Sequence, residues 1–213
     1  MTNDLQKRVI FGAIALAIFT PFLLAGGMAF EFFVGLLAMI ATAELIKMRR
    51  LAPNSIEGVL AMLASLVLTL PLQNYLTFLP TDGNYTAYAI VVFLLLGATV
   101  FNIGRYNYSD VVFPIASSFY VGIGFHSLVL ARMDGLNKVF FALCLVWATD
   151  IGAYMIGRQF GRRKLLPKVS PNKTVEGFVG GILSAVVVAI IFLIVDKSLL
   201  AGYSFGMMLL LVV

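Results

Sequence analysis

Long apolar stretches alternate with short polar segments along the whole chain. Each stretch is close to the about 20 residues that an α-helix needs to cross a bilayer, and charged residues within the stretches are few. Only helices and closed barrels satisfy all their backbone hydrogen bonds inside a membrane. The predicted fold is therefore all-α, a polytopic bundle of about seven transmembrane helices, with approximate bounds 9–26, 28–46, 56–72, 87–104, 111–131, 137–157 and 177–195.

An eighth apolar stretch begins at about Tyr203 and runs to the last residue, Val213. It is shorter than a bilayer crossing, and a helix that stopped inside the hydrocarbon would leave backbone groups unpaired. We therefore expect the sequence to be a C-terminally truncated piece of a longer protein. Residues 1–213 are predicted to form a single integral membrane domain that is incomplete at its C-terminus.

The composition excludes most other classes of protein. Hydrophobic residues make up 61% of the chain and charged residues 12%, against about 45–50% and about 25% in soluble proteins. A soluble globular domain, a disordered chain and a soluble nucleic-acid binder are all excluded. The single cysteine, Cys144, lies inside an apolar stretch, so no intrachain disulfide can form.

The positions of lysine and arginine predict how the chain is oriented in the membrane, because cytoplasmic loops collect these residues. With the N-terminus in the cytoplasm, twelve of the fifteen fall on the cytoplasmic side, and only Arg132, Lys138 and Lys197 fall on the other. The net charge of +5 then follows from orientation and does not indicate binding to nucleic acid. We expect a multi-pass protein of the cell inner membrane with a cytoplasmic N-terminus.

The connection between predicted helices 6 and 7 carries more positive charge than orientation requires. Six cations occur within sixteen residues: Arg158, Arg162, Arg163, Lys164, Lys168 and Lys173. One explanation is contact with anionic lipid headgroups, which attract cations near the membrane surface.

Residues 168–177 indicate a more specific chemistry. Pro171 and its polar neighbours predict a shaped loop that leads into helix 7, where free N–H groups and the positive end of the helix dipole favour an anion. An ordinary helix cap with Thr174 as N-cap explains part of this pattern and is compatible with phosphate binding. The glycine spacing of a Walker A loop is absent. The candidate phosphate-binding residues are Lys168, Ser170, Asn172, Lys173, Thr174, Glu176 and Gly177.

Asp150 is an ionisable residue inside the apolar stretch of helix 6. Burying a carboxylate in a membrane costs about 2.5–3.5 kcal/mol on insertion scales, so such a residue is a functional candidate that is expected to face the bundle interior. The alternative is a structural pair with a nearby lysine or arginine. Tyr154 lies four residues further on and shares its helix face.

Other polar and small residues within the predicted helices are explained by helix packing and hydrogen bonding. The spacing of Gly177, Gly181 and Ala185 predicts close packing of helix 7 against another helix. His126 has no second histidine or cysteine at metal-ligand spacing, which favours a hydrogen-bonded residue between helices. We assign no role to His126, nor to Glu31 and Glu44 near the two ends of helix 2.

Two segments of the chain, residues 148–161 and 167–177, resemble the bacterial phosphatidate cytidylyltransferases, also called CDP-diacylglycerol synthases. They read Ala-Thr-Asp-Ile-Gly-Ala-Tyr-Met-Ile-Gly-Arg-Gln-Phe-Gly and Pro-Lys-Val-Ser-Pro-Asn-Lys-Thr-Val-Glu-Gly. The resemblance implies an integral membrane nucleotidyltransferase of phospholipid synthesis. Such an enzyme joins CTP to phosphatidic acid and releases pyrophosphate and CDP-diacylglycerol, with both substrates and the bilayer as its partners.

The resemblance also implies a Mg²⁺ cofactor, with Lys173 and Asp150 as candidate catalytic residues. Asp150 is a candidate metal or substrate ligand, and the main metal ligands are expected beyond residue 213. The family's C-terminal signature, with a Lys-Asp pair, a glycine-rich turn with histidine and an Asp-Arg-x-Asp element, is absent from this sequence. We therefore expect this chain to be inactive alone. A homodimer is compatible with the sequence.

Three other functions remain open on the sequence. A CTP-dependent polyprenol or phytol kinase would share the membrane setting, the nucleotide and the basic loop, and would differ in its lipid product. A transporter of anionic solutes would need charged or broken helices near mid-membrane in two matching halves, and only Asp150 fits. A structural membrane subunit would need no shaped cationic loop.

Overall fold

A computed structural model of the chain describes residues 2–77, 83–101 and 108–196. Seven α-helices lie within these ranges: α1 (Thr2–Ala25), α2 (Gly27–Met48), α3 (Ile56–Thr69), α4 (Gly83–Phe101), α5 (Tyr108–Asp134), α6 (Leu136–Phe160) and α7 (Val175–Val195). Each corresponds to one of the seven predicted spans, so the all-α membrane fold is confirmed. The predicted eighth stretch lies outside the described residues.

Four of the described helices are long and apolar enough to cross a membrane by themselves: α2, residues Asp110–Asp134 of α5, α6 and α7. At about 1.5 Å per residue, the 21 residues of α7 extend about 31 Å, close to the thickness of the hydrocarbon core. The apolar parts of α1, α3 and α4 are shorter.

Helix α3 ends earlier than its apolar pattern predicts. The pattern extends to residue 72, whereas the helix ends at Thr69 and Leu70 has an extended backbone (φ −74°, ψ 139°). Pro71 follows, and the residue before a proline is disfavoured in the helical conformation. A short 3₁₀ helix, Leu72–Asn74, continues the chain.

The described residues form two compact units that divide between Asp134 and Gly135. In the first unit α3 packs against α2, α4 and α5. Ala64 and Leu68 of α3 are buried together with Tyr88 of α4, and Gly122 of α5 lies against the Leu68 side chain. The prediction of a single membrane domain stays a prediction.

Polar side chains of the first unit have structural partners. Nδ1 of His126 lies 3.1 Å from the carbonyl oxygen of Thr69, which confirms a hydrogen-bonded residue between helices. The buried Glu31 accepts a hydrogen bond from the hydroxyl of Tyr75. Burial and this carboxylate raise the pKa of Tyr75 to about 12, so its hydroxyl remains a donor. Glu44 is exposed and forms an ion pair of 2.6 Å with Lys47.

The second unit consists of α6, α7 and a two-stranded antiparallel sheet between them. Strand β1 (Lys164–Leu166) pairs with β2 (Ser170–Thr174), with Lys164 opposite Thr174 and Leu166 opposite Ser170. The sequence predicted a shaped loop here but no strands. We call residues 161–174 the basic hairpin.

Helices α6 and α7 pack closely because glycines face each other along their contact. A Cβ added to Gly177 would come within 2.7 Å of the carbonyl oxygen of Ala153 and 3.0 Å of Cα of Gly157. At Gly181 it would come within 2.9 Å of the carbonyl oxygen of Thr149. Ala185 is buried on the same side of α7. The close helix packing predicted from the spacing of these small residues is confirmed.

Candidate functional site

Thr174 joins the end of the basic hairpin to the start of α7. It is the N-cap of the helix, and its hydroxyl accepts a hydrogen bond of 3.1 Å from the backbone N–H of Gly177. Its side chain is buried, and glycines at 157 and 161 leave room for it, since a Cβ at either position would lie within about 3 Å of its atoms. The predicted N-cap is confirmed, and Thr174 and Gly177 serve the junction between hairpin and helix.

Glu176 binds backbone groups at the opposite end of the hairpin. Its carboxylate accepts hydrogen bonds from the N–H groups of Arg162 at 3.0 Å and Arg163 at 3.2 Å. The N–H of Val175 in turn donates to the carbonyl oxygen of Arg163 at 2.9 Å. Two of the first N–H groups of α7, those of Val175 and Gly177, therefore already have protein acceptors. The sequence predicted that free N–H groups at this helix N-terminus would bind phosphate, and these two N–H groups are not free.

The lysines of the hairpin remain available to bind an anion. Lys164, Lys168 and Lys173 are exposed, and within the described part of the chain none of them forms an ion pair. Successive side chains of a strand point to opposite faces, so Lys173 lies on the face of β2 opposite to Thr174.

The predicted phosphate ligands differ in how accessible they are on the basic hairpin. Lys168 and Lys173 are both exposed. Asn172 is exposed and Ser170 is half-buried, whereas Thr174 and Gly177 are buried at the base. The arrangement places positive charge and hydrogen-bond donors at the surface of a short sheet. Oxygens of a phosphate group are suitable acceptors for such donors.

Asp150 lies on α6, ten residues before the helix end, which corresponds to about 15 Å along the axis from the base of the hairpin. Its side chain is exposed, and no described lysine or arginine forms an ion pair with it. Asp150 does not lie on the face of α6 that contacts α7, which is formed by Thr149, Gly152 and Ala153. The expected orientation of its carboxylate toward the interior of the whole bundle stays a prediction.

Asp150 belongs to a polar line on the exposed side of α6. Tyr154 and Arg158 follow at intervals of four residues, and Nη1 of Arg158 donates to the hydroxyl of Tyr154 at 3.4 Å. The four-residue spacing could have predicted the hydrogen bond between Arg158 and Tyr154, but the predictions from the sequence did not include it.

The described residues do not form a complete metal site. Among them no group of three or more histidine, cysteine, aspartate or glutamate side chains is close enough to hold a metal ion. The Glu176 carboxylate is engaged with backbone N–H groups, and Asp150 provides at most the oxygens of one carboxylate. A Mg²⁺ ion, which takes six oxygen ligands, would need further donors.

The helices and the basic hairpin together define a polytopic membrane protein with a cationic segment suited to anionic ligands. Residues 6–213 match the profile of the Cytidylyltransferase family, and the chain belongs to this family.

Curated relatives support the same assignment. A phosphatidate cytidylyltransferase of Staphylococcus saprophyticus is 40% identical over 190 residues, which cover 89% of this chain and 72% of the relative. Proteins of the same name from Staphylococcus haemolyticus and Staphylococcus aureus are 39% and 35% identical, over the same shares of the two chains.

Proposed function

We infer that the protein is a phosphatidate cytidylyltransferase, which joins CTP to phosphatidic acid and gives CDP-diacylglycerol and pyrophosphate. Membership of the family and the name shared by relatives that are 35–40% identical over 89% of the chain support this activity. The apolar helices place the protein in a membrane, where its lipid substrate resides. The enzyme is a nucleotidyltransferase of phospholipid synthesis.

The observation that carries the site assignment is the pair of exposed lysines on the basic hairpin, Lys168 and Lys173, neither of which forms an ion pair with another described residue. In this reaction an oxygen of the phosphate monoester attacks the α-phosphorus of CTP, and pyrophosphate leaves. Both substrates are anions and repel each other. Catalysis of such transfers rests on positioning and on neutralisation of charge. The two lysines provide positive charge, and Ser170 and Asn172 provide hydrogen-bond donors beside them.

The orientation of the chain forms part of the proposal. The basic hairpin faces the cytoplasm, where CTP is available, because lysine and arginine collect in cytoplasmic loops. Phosphatidic acid reaches the hairpin from the inner leaflet while its acyl chains stay in the lipid. Asp150, exposed on α6, contributes a carboxylate to a substrate or cation contact. The reaction requires Mg²⁺, which neutralises triphosphate charge when bound and whose full ligand set the described residues do not supply.

The experiment that tests the proposal compares Lys173→Ala with Lys47→Ala in the protein as its gene encodes it. Lys47 is a matched control, because it pairs with Glu44 at the end of α2 and is remote in sequence from the hairpin. In membranes supplied with phosphatidic acid, Mg²⁺ and labelled CTP, Lys173→Ala is expected to lower turnover at least about 100-fold, the effect of removing one strong electrostatic contact to the transition state. Lys47→Ala is expected to keep normal turnover.

The lipid product distinguishes this enzyme from a CTP-dependent lipid kinase. A cytidylyltransferase yields a lipid that carries CMP, whereas a kinase yields a monophosphorylated lipid without the nucleoside. Near-normal turnover of Lys173→Ala would contradict the role of the hairpin, and a product without cytidine would contradict the activity itself.

A further inference from the structure

Pairing between its two short strands stabilises the basic hairpin only weakly. It has strands of three and five residues, and isolated two-stranded sheets are marginal in water. Residues 162–173 also carry five cations and no carboxylate, so their mutual repulsion opposes a compact arrangement. The hairpin therefore needs attachments to the helices on either side.

Glu176 provides an attachment at the point where the hairpin begins. Both N–H groups at its entry, those of Arg162 and Arg163, donate to this one carboxylate from the first turn of α7. The N–H of Val175 returns a bond to the carbonyl oxygen of Arg163. These hydrogen bonds join the entry of the hairpin to its exit, between residues that are thirteen and fourteen positions apart in the sequence. Hydrogen bonds to a carboxylate are about twice as strong as those between neutral groups.

The position of Glu176 argues against contact with substrate. Its oxygens point to backbone donors of the hairpin, and a carboxylate beside a phosphate would repel it. The sequence grouped Glu176 with the phosphate-binding residues, and the structure places it at the base of the segment that bears them.

We propose that Glu176 is a positioning residue, which fixes the basic hairpin on α7 so that Lys168 and Lys173 meet the substrate phosphates in a set arrangement. The proposal rests on the proposed function. Its physical basis is preorganisation: lysine side chains on a loosely held segment must be ordered when substrate binds, and that ordering lowers affinity and rate.

The test measures the attachment and the kinetics separately, in Glu176→Ala, Glu176→Gln and Glu44→Ala. Glu44 is a matched control, an exposed carboxylate near the end of α2 whose partner is Lys47. Limited trypsin digestion in detergent, with fragments identified by mass, reports how often residues 162–164 detach, because proteolysis follows local opening. Detergent makes the result independent of orientation in the membrane. The apparent KM for CTP and kcat are measured on the same preparations.

Glu176→Ala is expected to be cleaved after Arg162, Arg163 or Lys164 about tenfold faster than the wild type and to show a KM for CTP raised about tenfold. Its melting temperature should change little, whereas a purely structural defect would lower the folded fraction and leave KM unchanged. Glu176→Gln keeps one carbonyl acceptor and should show smaller changes of both kinds. Glu44→Ala should match the wild type in both measurements.

Two results would overturn the positioning role. The first is wild-type cleavage of Glu176→Ala. The second is a Glu176→Gln variant as impaired as Glu176→Ala with its hairpin still protected, which would mean that the charge acts on substrate directly. Failure of the proposed function has a different signature: the lipid product carries no cytidine, or Lys173→Ala keeps near-normal turnover, while Glu176→Ala is still cleaved faster than the wild type. That result would remove the positioning role and leave only the attachment.

Discussion

At the scale of single residues, the junction between hairpin and α7 depends on one hydroxyl and one carboxylate. Thr174 satisfies a backbone N–H of the first helical turn, and Glu176 satisfies two at the entry of β1. The Thr174 cap was predictable because an N-cap bonds three residues ahead in the sequence. The partners of Glu176 were not, since no local rule relates it to residues thirteen and fourteen positions earlier.

We predict that Thr174→Val destabilises the protein by about 1 kcal/mol, the usual cost of losing an N-cap hydroxyl. Valine keeps the shape of the buried side chain and removes only the acceptor for the N–H of Gly177. Thr174→Ser keeps the hydroxyl and is expected to retain most of the stability. Thermal unfolding in detergent measures the difference, and equal melting temperatures for the valine variant and the wild type would show that the cap contributes nothing.

At the scale of secondary-structure elements, the glycines of α6 and α7 bring the two helix backbones together. Small residues are the main way for helices to approach closely in a membrane, where lipid removes the hydrophobic drive for association. The four-residue spacing of Gly177, Gly181 and Ala185 predicted the contact face of α7. It did not identify the partner helix, which the structure shows to be α6.

Gly177→Ala is expected to lower stability by about 1–3 kcal/mol, the usual cost of overfilling a well-packed contact. The added methyl group would meet backbone atoms of Ala153 and Gly157, which cannot rotate away. Gly124→Ala on α5 is the control, because a Cβ there meets nothing within 4 Å. Alanine is the better helix former, so this control should equal or exceed the wild type. Thermal unfolding of both variants in detergent checks the prediction, which fails if Gly177→Ala melts with the control.

At the scale of the whole molecule, the alternation of apolar helices and the distribution of cations predict opposite membrane sides for two exposed positions. Val169 lies in the turn of the basic hairpin, and Asn74 ends the short 3₁₀ helix between α3 and α4. With the N-terminus in the cytoplasm, Val169 is cytoplasmic and Asn74 is on the outer side.

This orientation is measurable with single cysteines in a Cys144→Ala background. Val169→Cys is expected to react with a membrane-impermeant maleimide in inside-out vesicles and Asn74→Cys in right-side-out vesicles. The reverse pattern would place the basic hairpin outside the cell and contradict its binding of cytoplasmic CTP.

The sequence alone determined the number and order of the described helices, because the length and apolarity of a span follow from the thickness of the bilayer. It also determined where the positive charge gathers and which residue caps α7, since both are local properties of the chain. Only the tertiary structure showed the two strands of the hairpin, the exposed position of Asp150 and the attachment made by Glu176. These features depend on contacts between residues distant in sequence, and helix rotation and strand pairing are fixed by packing against neighbours.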